Sequence, residues 1–231
     1  MKRIYAFTLA EILTTLTLIG VVAALTIPSL IISNEKQRTI AAIKTNYSAF
    51  QRAVELSEVD NGPTSVWMFK NNHSDTFWAQ YLAPYLQVVS TTTYPKAYPN
   101  GILRPDGKNK ETSLALSKND GVVVKLENGT NVLFASNAWD MRKDFTFAFD
   151  INGSKGPNKW GRDLFFIAIY EKGVVPCNQD GTGDAPFGEL TRSNIINISN
   201  YDYQCRKDKR GMSCLALIVF DGWKIADDYP W

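Results

Sequence analysis

An apolar run of 22 residues near the N-terminus, from Phe7 to Pro28, constrains this chain more than any other feature. A bilayer core of about 30 Å takes about 20 helical residues at about 1.5 Å per residue, so the run can span a membrane once. Its one charged residue, Glu11, lies close to its start. An ionised side chain in hydrocarbon costs roughly 2.5–3.5 kcal/mol at mid-helix and less near an end. Glu11 therefore needs either a partner or a function.

A secretory signal peptide is the simplest alternative for this segment. Lys2 and Arg3 form a basic leader, and Ala23-Ala24 supplies small residues for a cleavage site. A signal peptide, however, has an apolar core of only about 7–15 residues. This run carries Glu11, Thr14, Thr15 and Thr17 among its polar residues and then continues through Ile32. Length and polarity therefore favour a helix that is retained.

A short basic leader, a small residue and then Phe-Thr-Leu-x-Glu open this hydrophobic helix. The pattern resembles the prepilin cleavage and methylation motif of type IV pilins and type II secretion pseudopilins. In that family a prepilin peptidase cuts before the phenylalanine, here between Ala6 and Phe7, and methylates the new amine. Glu11 and Pro28 would then be the fifth and twenty-second residues of the mature chain, where the family has the same residue types. The family usually has glycine before the cut, and Ala6 at that place bears on cleavage efficiency.

The resemblance implies a structural subunit and not an enzyme. Such a subunit is inserted once in the cytoplasmic membrane, with residues 1–6 inside and the head outside. It is then cut and assembled, by an assembly platform, with identical or homologous subunits into a type IV pilus or a secretion pseudopilus, at the cell surface or in the periplasm. The sequence leaves the choice between these filaments open. A rival of another class is a membrane-anchored or secreted ectodomain, carbohydrate-binding or hydrolytic, that uses the helix only for export.

The resemblance also assigns roles to two residues of the helix. Glu11 would neutralise the methylated amine of Phe7 in a neighbouring subunit, so that a subunit in the wrong axial register would leave a buried charge unpaired. Pro28 would kink a continuing helix, because it removes one backbone hydrogen bond. The alternatives are that Glu11 reaches the membrane interface and that Pro28 ends the span.

Beyond Pro28 the sequence predicts one more helical segment and then a head domain. Apolar residues recur at spacings of three and four up to Val54, which predicts an amphipathic helix that ends at about Glu58, before the Gly-Pro of residues 62–63. The expected organisation is a leader (1–6), a hydrophobic helix (7–30), an amphipathic continuation (31–58) and one extracytoplasmic head (59–231).

The head has the pattern of an antiparallel sheet. Asn128-Gly129 lies between two β-rich runs, a strong hairpin signal that calls for positive φ at both turn positions. A second pair of strands is predicted at Phe145–Ile151 and Leu164–Tyr170, and residues 90–110 are predicted to be a loop. Cys214–Phe220 is compatible with a strand or a helix, and we favour the helix. We expect an α+β, pilin-like fold with a long N-terminal helix packed on a sheet of about four strands.

The loop between the second pair of strands, residues 150–163, carries four oxygen-donating side chains: Asp150, Asn152, Asn158 and Asp163. Hard cations such as calcium bind six to eight oxygens from such loops. The spacing is not that of an EF-hand, but the loop resembles the Gly- and Asp-containing loop near the C-terminus of major pseudopilins, where that family holds calcium. An ordinary β–β connection is the alternative. Residues 180–184 form a weaker candidate loop.

Composition and the remaining polar residues narrow the functional classes. The net charge of +2 gives no support for nucleic-acid binding, and the single histidine, His73, lies in a polar run without a metal-binding partner at zinc spacing. Three tryptophans, at positions 67, 160 and 231, are candidates for an exposed binding surface.

Three cysteines, Cys177, Cys205 and Cys214, lie on the side expected to be exported, where disulfides form. One disulfide and one free thiol is the simplest arrangement, and three reduced thiols are the alternative. The sequence leaves the pairing open.

Overall fold

The computed structural model describes residues 8–67, 74–110, 121–135, 145–177, 191–197 and 203–231. The chain divides into two compact units, Met1–Thr39 and Ile40–Trp231. The predicted cleavage site between Ala6 and Phe7 lies outside the described residues, as do His73 and the loop at residues 180–184. Since the second unit begins at Ile40, the predicted boundary of the head, at residue 59, falls inside that unit.

The long N-terminal helix, α1, comprises Leu9–Asn61 and confirms the helix that the sequence predicts. It ends three residues after Glu58, where Gly62 takes a φ of +76° that side chains other than glycine rarely adopt. Pro28 lies inside the helix, and helical structure continues on both sides of it. Pro28 therefore does not end the helix.

The second unit is built on a six-stranded antiparallel sheet whose strands are neighbours in chain order. The strands are β1 (Val88–Thr93), β2 (Gly121–Leu126), β3 (Asn131–Ala135), β4 (Phe145–Asp150), β5 (Leu164–Tyr170) and β6 (Gly173–Pro176). Short helices are α2 (Ser74–Phe77), α3 (Tyr94–Ala97), α4 (Arg192–Ile196) and α5 (Cys214–Phe220). The fold is thus α+β, and the helical interpretation of the last segment is confirmed.

Two details of the predicted sheet are wrong. The sheet has six strands instead of about four. The sequence pattern missed β1, because it is a mostly exposed edge strand without an apolar alternation, and β6, because it is short and ends in proline. Between β2 and β3, only Gly129 has positive φ. Asn128 instead accepts a hydrogen bond from the Thr130 N–H with its side chain (3.0 Å). Since β2 ends at Leu126 and β3 begins at Asn131, the turn between them is longer than the predicted two-residue one.

The helix and the sheet share one aromatic core within the second unit. Phe50 of α1 is fully buried, with ring centroids 5.1 Å from Phe147 and 5.5 Å from Phe149 of β4. Trp67 and Trp160 are only 4% and 1% exposed, and Trp231 is half-buried, so the first two form no exposed binding surface. The rings hold α1 on one face of the sheet.

We predict that Phe50→Ala lowers the free energy of unfolding by about 3–5 kcal/mol, because it leaves a cavity between helix and sheet. Leu56→Ala on the same helix is the control, since Leu56 is 42% exposed, and it should cost less than about 1 kcal/mol. Urea unfolding of the full chain in detergent measures both, and equal costs would contradict this account of the core.

Candidate functional site

The first half of α1 presents an apolar surface that its own unit leaves exposed. Leu9 and Leu25, for example, are 78% and 75% exposed. Among the described residues, α1 is the one helix long and apolar enough to cross a membrane. A signal sequence near an N-terminus passes the same test of length and composition, so the helix is compatible with a single membrane span or a signal anchor.

Threonine hydroxyls in this segment are hydrogen-bonded to the helix itself. Thr15 donates to the Glu11 carbonyl at 2.9 Å, Thr17 to the Leu13 carbonyl at 2.8 Å, and Thr26 to the Val22 carbonyl at 2.9 Å. A polar group in hydrocarbon is costly only when it lacks a partner. The threonines that make the run unusually polar for a signal peptide are therefore compatible with an apolar environment.

Glu11 has a local role that the sequence analysis missed. Its Oε2 accepts hydrogen bonds from the Thr8 N–H and the Thr8 hydroxyl, both at 2.8 Å, and the Glu11 N–H donates to Thr8 Oγ1 at 3.3 Å. This is a capping box, which satisfies amide groups that have no partner inside the helix. The sequence signal was available, because Thr8-x-x-Glu11 before an apolar run is the pattern of such a box.

A second polar site lies where β4 ends and the loop of residues 150–163 begins. Asp150 is fully buried there: its Oδ2 accepts from the Tyr98 hydroxyl (2.9 Å), and its Oδ1 accepts from the Asn152 N–H (3.1 Å). Asn131 Nδ2 also donates to the Tyr98 oxygen, at 3.1 Å. Burial raises the pKa of the Asp150 carboxyl to about 8, although both hydrogen bonds that it accepts oppose this rise.

The structure brings together three of the four oxygen donors that the sequence predicts for this loop. Asn152 Nδ2 lies 3.4 Å from Asp163 Oδ1, and the Asn152 side chain also contacts Asp150. Asn158 is attached differently, because its Nδ2 donates to the Ser154 carbonyl at 3.3 Å. Within the described part of the chain, no group of three or more histidine, cysteine, aspartate or glutamate side chains could hold a metal. Any cation here would need amide and main-chain oxygens.

The C-terminal region packs against the same loop. Cys205 and Cys214 form a disulfide, and Cys177 is buried and outside that disulfide, so the structure selects one of the pairings that the sequence left open. Gly161 in the loop lies so close to Cys214 that an added Cβ would be 2.9 Å from its sulfur. The Tyr229 hydroxyl donates to the Gly161 carbonyl at 2.5 Å. The disulfide and the chain end thereby hold the loop in place.

Fold and site together define an α+β protein with an apolar N-terminal helix, a disulfide-linked C-terminal region and a polar loop after β4. The chain belongs to the family described as DUF6613, a family of unknown function, whose model matches residues 29–231. The matched region covers the head and leaves the N-terminal motif outside. No curated protein and no solved structure matches the chain.

We predict that Tyr98→Phe lowers the free energy of unfolding by about 1–3 kcal/mol, because the buried Asp150 carboxyl loses a hydrogen-bond donor. Tyr85→Phe is the matched control, since the Tyr85 hydroxyl donates to Asp60 at 2.8 Å in an exposed position. That change should cost less than about 1 kcal/mol. Urea unfolding distinguishes the two, and a tolerated Tyr98→Phe would refute the importance of the buried pair.

Proposed function

We propose that this chain is a pilin-like structural subunit, processed by prepilin peptidase and assembled through its N-terminal helix into a type IV pilus or a secretion pseudopilus. The observation that supports this most directly is the start of α1. A carboxylate fixed at the head of an exposed apolar helix lies in the register of the prepilin motif, with Pro28 inside the helix at the matching position.

The exposed apolar helix needs apolar surroundings both before and after assembly. Each square ångström of apolar surface removed from water contributes about 25 cal/mol, so side chains such as Leu9 and Leu25 need either lipid or other helices around them. In the membrane that surface faces lipid, and in a filament it faces the helices of neighbouring subunits. The mechanism is thus transfer of one helix between two apolar surroundings.

The capping box leaves room for the docking role of Glu11. Both hydrogen bonds from Thr8 go to Oε2, and among the described residues nothing donates to Oε1. A carboxylate accepts through both oxygens. The methylated amine of a neighbouring subunit can therefore bind Oε1 while Thr8 binds Oε2, so that the cap and the docked amine do not compete for the same oxygen.

The head carries features suited to the exported side of the membrane. Disulfides form and persist in oxidising compartments, and Cys205–Cys214 is such a bond. With the head outside, the helical core would hold the filament together and the heads would decorate its surface.

The first prediction from this function concerns the N-terminus of the protein purified from membranes of its native host. We expect intact mass and N-terminal peptide mass to show a chain that begins at N-methylated Phe7. A chain that begins near Leu25, or that retains Met1, would contradict the proposal. That result would favour the rival class, an exported or anchored ectodomain that binds or hydrolyses carbohydrate.

The second prediction separates the charge of Glu11 from its capping role. Glu11→Gln keeps a side-chain oxygen for the capping box but removes the charge, so we expect normal insertion and cleavage and a filament yield reduced roughly tenfold or more. Thr8→Ala is the control, because it removes the cap (about 0.5–2 kcal/mol) and keeps the charge. Its filament yield should stay close to that of the wild type.

Sheared filaments, quantified against total membrane-bound subunit, provide the measurement. A wild-type yield from Glu11→Gln, or an equal loss from Thr8→Ala, would refute the docking role and leave Glu11 as a helix cap only.

A further inference from the structure

The positive charge of this chain is concentrated in three segments of the head. Residues 103–110, 155–163 and 203–211 contain ten lysines and arginines and only three aspartates, a net charge of +7. The whole chain carries +2, so the remaining residues together carry −5. The small net charge, which by itself gives no support for nucleic-acid binding, therefore hides a strong asymmetry.

The fold brings the three segments together. The Leu103 N–H donates to the Asn158 carbonyl at 2.8 Å, and the Trp160 N–H donates to the Leu103 carbonyl at 3.0 Å. The third segment packs against the first, because a Cβ added at Gly211 would lie 2.9 Å from Pro105 Cγ. We call the surface that these three segments form the basic surface.

The cations of the basic surface outnumber the carboxylates that could neutralise them. Of the three aspartates, Asp163 is buried, and Asp106 accepts hydrogen bonds from main-chain N–H groups of its own turn. Asp208 is exposed and pairs with Arg206 at 3.7 Å and with Lys209 at 3.1 Å. Five of the basic side chains are exposed to solvent: Lys108, Lys110, Lys155, Arg206 and Lys207.

The crowding of like charges is visible at Lys159. Burial lowers the pKa of the Lys159 ammonium, and the positive charges of Arg162 and Lys207 lower it further. Asp163 and Asp106 oppose this effect without removing it. A polyanion bound over the surface would relieve this repulsion.

The structure of the surface narrows the class of polyanion. Its described residues include no exposed large hydrophobic side chain, so it lacks the apolar groups that insert into a lipid surface. Arg210 lies over the ring of Tyr203, 5.8 Å from its centroid, and Arg162 lies over Trp231, at 5.1 Å. Both rings are half-buried, so they offer no open platform on which unpaired bases could stack.

A surface that offers charge without an apolar groove favours the ligand of highest charge density. Double-stranded DNA carries one negative charge per about 1.7 Å of its axis, and its binding to lysine and arginine is driven by the release of condensed counterions. We propose that the basic surface binds double-stranded nucleic acid through the phosphate backbone.

The contact does not read the base sequence. Direct readout places a helix or a two-stranded ribbon in the major groove, and the three segments of the basic surface contain neither a helix nor a strand. Exposed lysines and arginines on loops contact phosphates instead. The inference goes beyond filament assembly and does not rest on it, because the same surface would face solvent in an exported ectodomain.

The test is fluorescence anisotropy of a labelled duplex DNA, titrated with the full chain in a neutral detergent. We expect a dissociation constant of about 10⁻⁶–10⁻⁴ M at physiological salt, equal for two unrelated sequences. If about four or five phosphates are neutralised, the affinity should fall about 100-fold or more between about 50 and 200 mM salt. A single strand of the same length should bind more weakly. Absence of binding, affinity that does not change with salt, or tighter binding of the single strand would overturn the proposal.

Substitutions at exposed positions locate the contact. Arg206→Gln and Lys207→Gln should each weaken binding about threefold to tenfold and make the salt dependence shallower by about one phosphate. Arg52→Gln is the matched control, because Arg52 is exposed on α1, which packs on the other face of the sheet. It should leave binding unchanged, and all three variants should keep the wild-type melting temperature. An equal loss of binding in Arg52→Gln would show that DNA responds only to overall charge, which overturns the proposal.

An acidic polysaccharide is the competing class of polyanion. Polygalacturonate, which carries carboxylates at a lower linear charge density than DNA, is added to the bound duplex at equal charge concentration. Retention of the duplex supports the proposal. Displacement of the duplex would assign the basic surface to carboxylated glycans and overturn it.

Discussion

The packing of Phe50 against Phe147 and Phe149 is the contact on which the arrangement of the head depends. Side chains alternate between the faces of a strand, so the odd-numbered rings of β4 that face α1 place Ala148 and Asp150 on the opposite face. Tyr98, whose hydroxyl binds Asp150, lies on that second face. The aromatic core on one side thus determines where the polar site forms on the other.

The sheet is covered on both faces, which explains how a carboxylate comes to be fully buried. One cluster contains Phe50, β4 rings and α5, and the other contains Tyr98, Trp160 and Phe166. Trp160 stacks on Phe166 with ring centroids 4.4 Å apart, and it is part of the same loop that starts at Asp150. Because the loop folds back onto the sheet, its polar groups are removed from water and must find partners within the protein.

The two polar sites use the same physical device in different surroundings. At Glu11 and at Asp150 a carboxylate is fixed by local donors, Thr8 in one case and Tyr98 with the Asn152 N–H in the other. At Glu11 both hydrogen bonds from Thr8 go to one oxygen, whereas at Asp150 each oxygen accepts one hydrogen bond. The surroundings differ, because Glu11 lies on an exposed helix and Asp150 is fully buried.

The sequence by itself determined the elements whose signal is local. The 3.6-residue period, with Gly62-Pro63 at its end, predicts α1, and runs of β-branched and aromatic residues predict the four central strands. It also identified Asp150, Asn152 and Asp163 as oxygen donors of one loop, because they are close in sequence. The capping box was readable in the same way, from Thr8 and its spacing to Glu11.

Only the tertiary structure decided what depends on contacts between distant residues. The edge strands β1 and β6 exist because neighbouring strands pair with them, and the disulfide joins Cys205 to Cys214 because α5 and the preceding loop bring them together. Tyr98 reaches Asp150 across 52 positions of sequence. That contact depends on packing, because Tyr98 belongs to the same buried cluster as Ala148, a neighbour of Asp150 on β4, and Trp160 of the following loop. No local pattern could indicate it, because the two residues meet only once the loop has packed on the sheet.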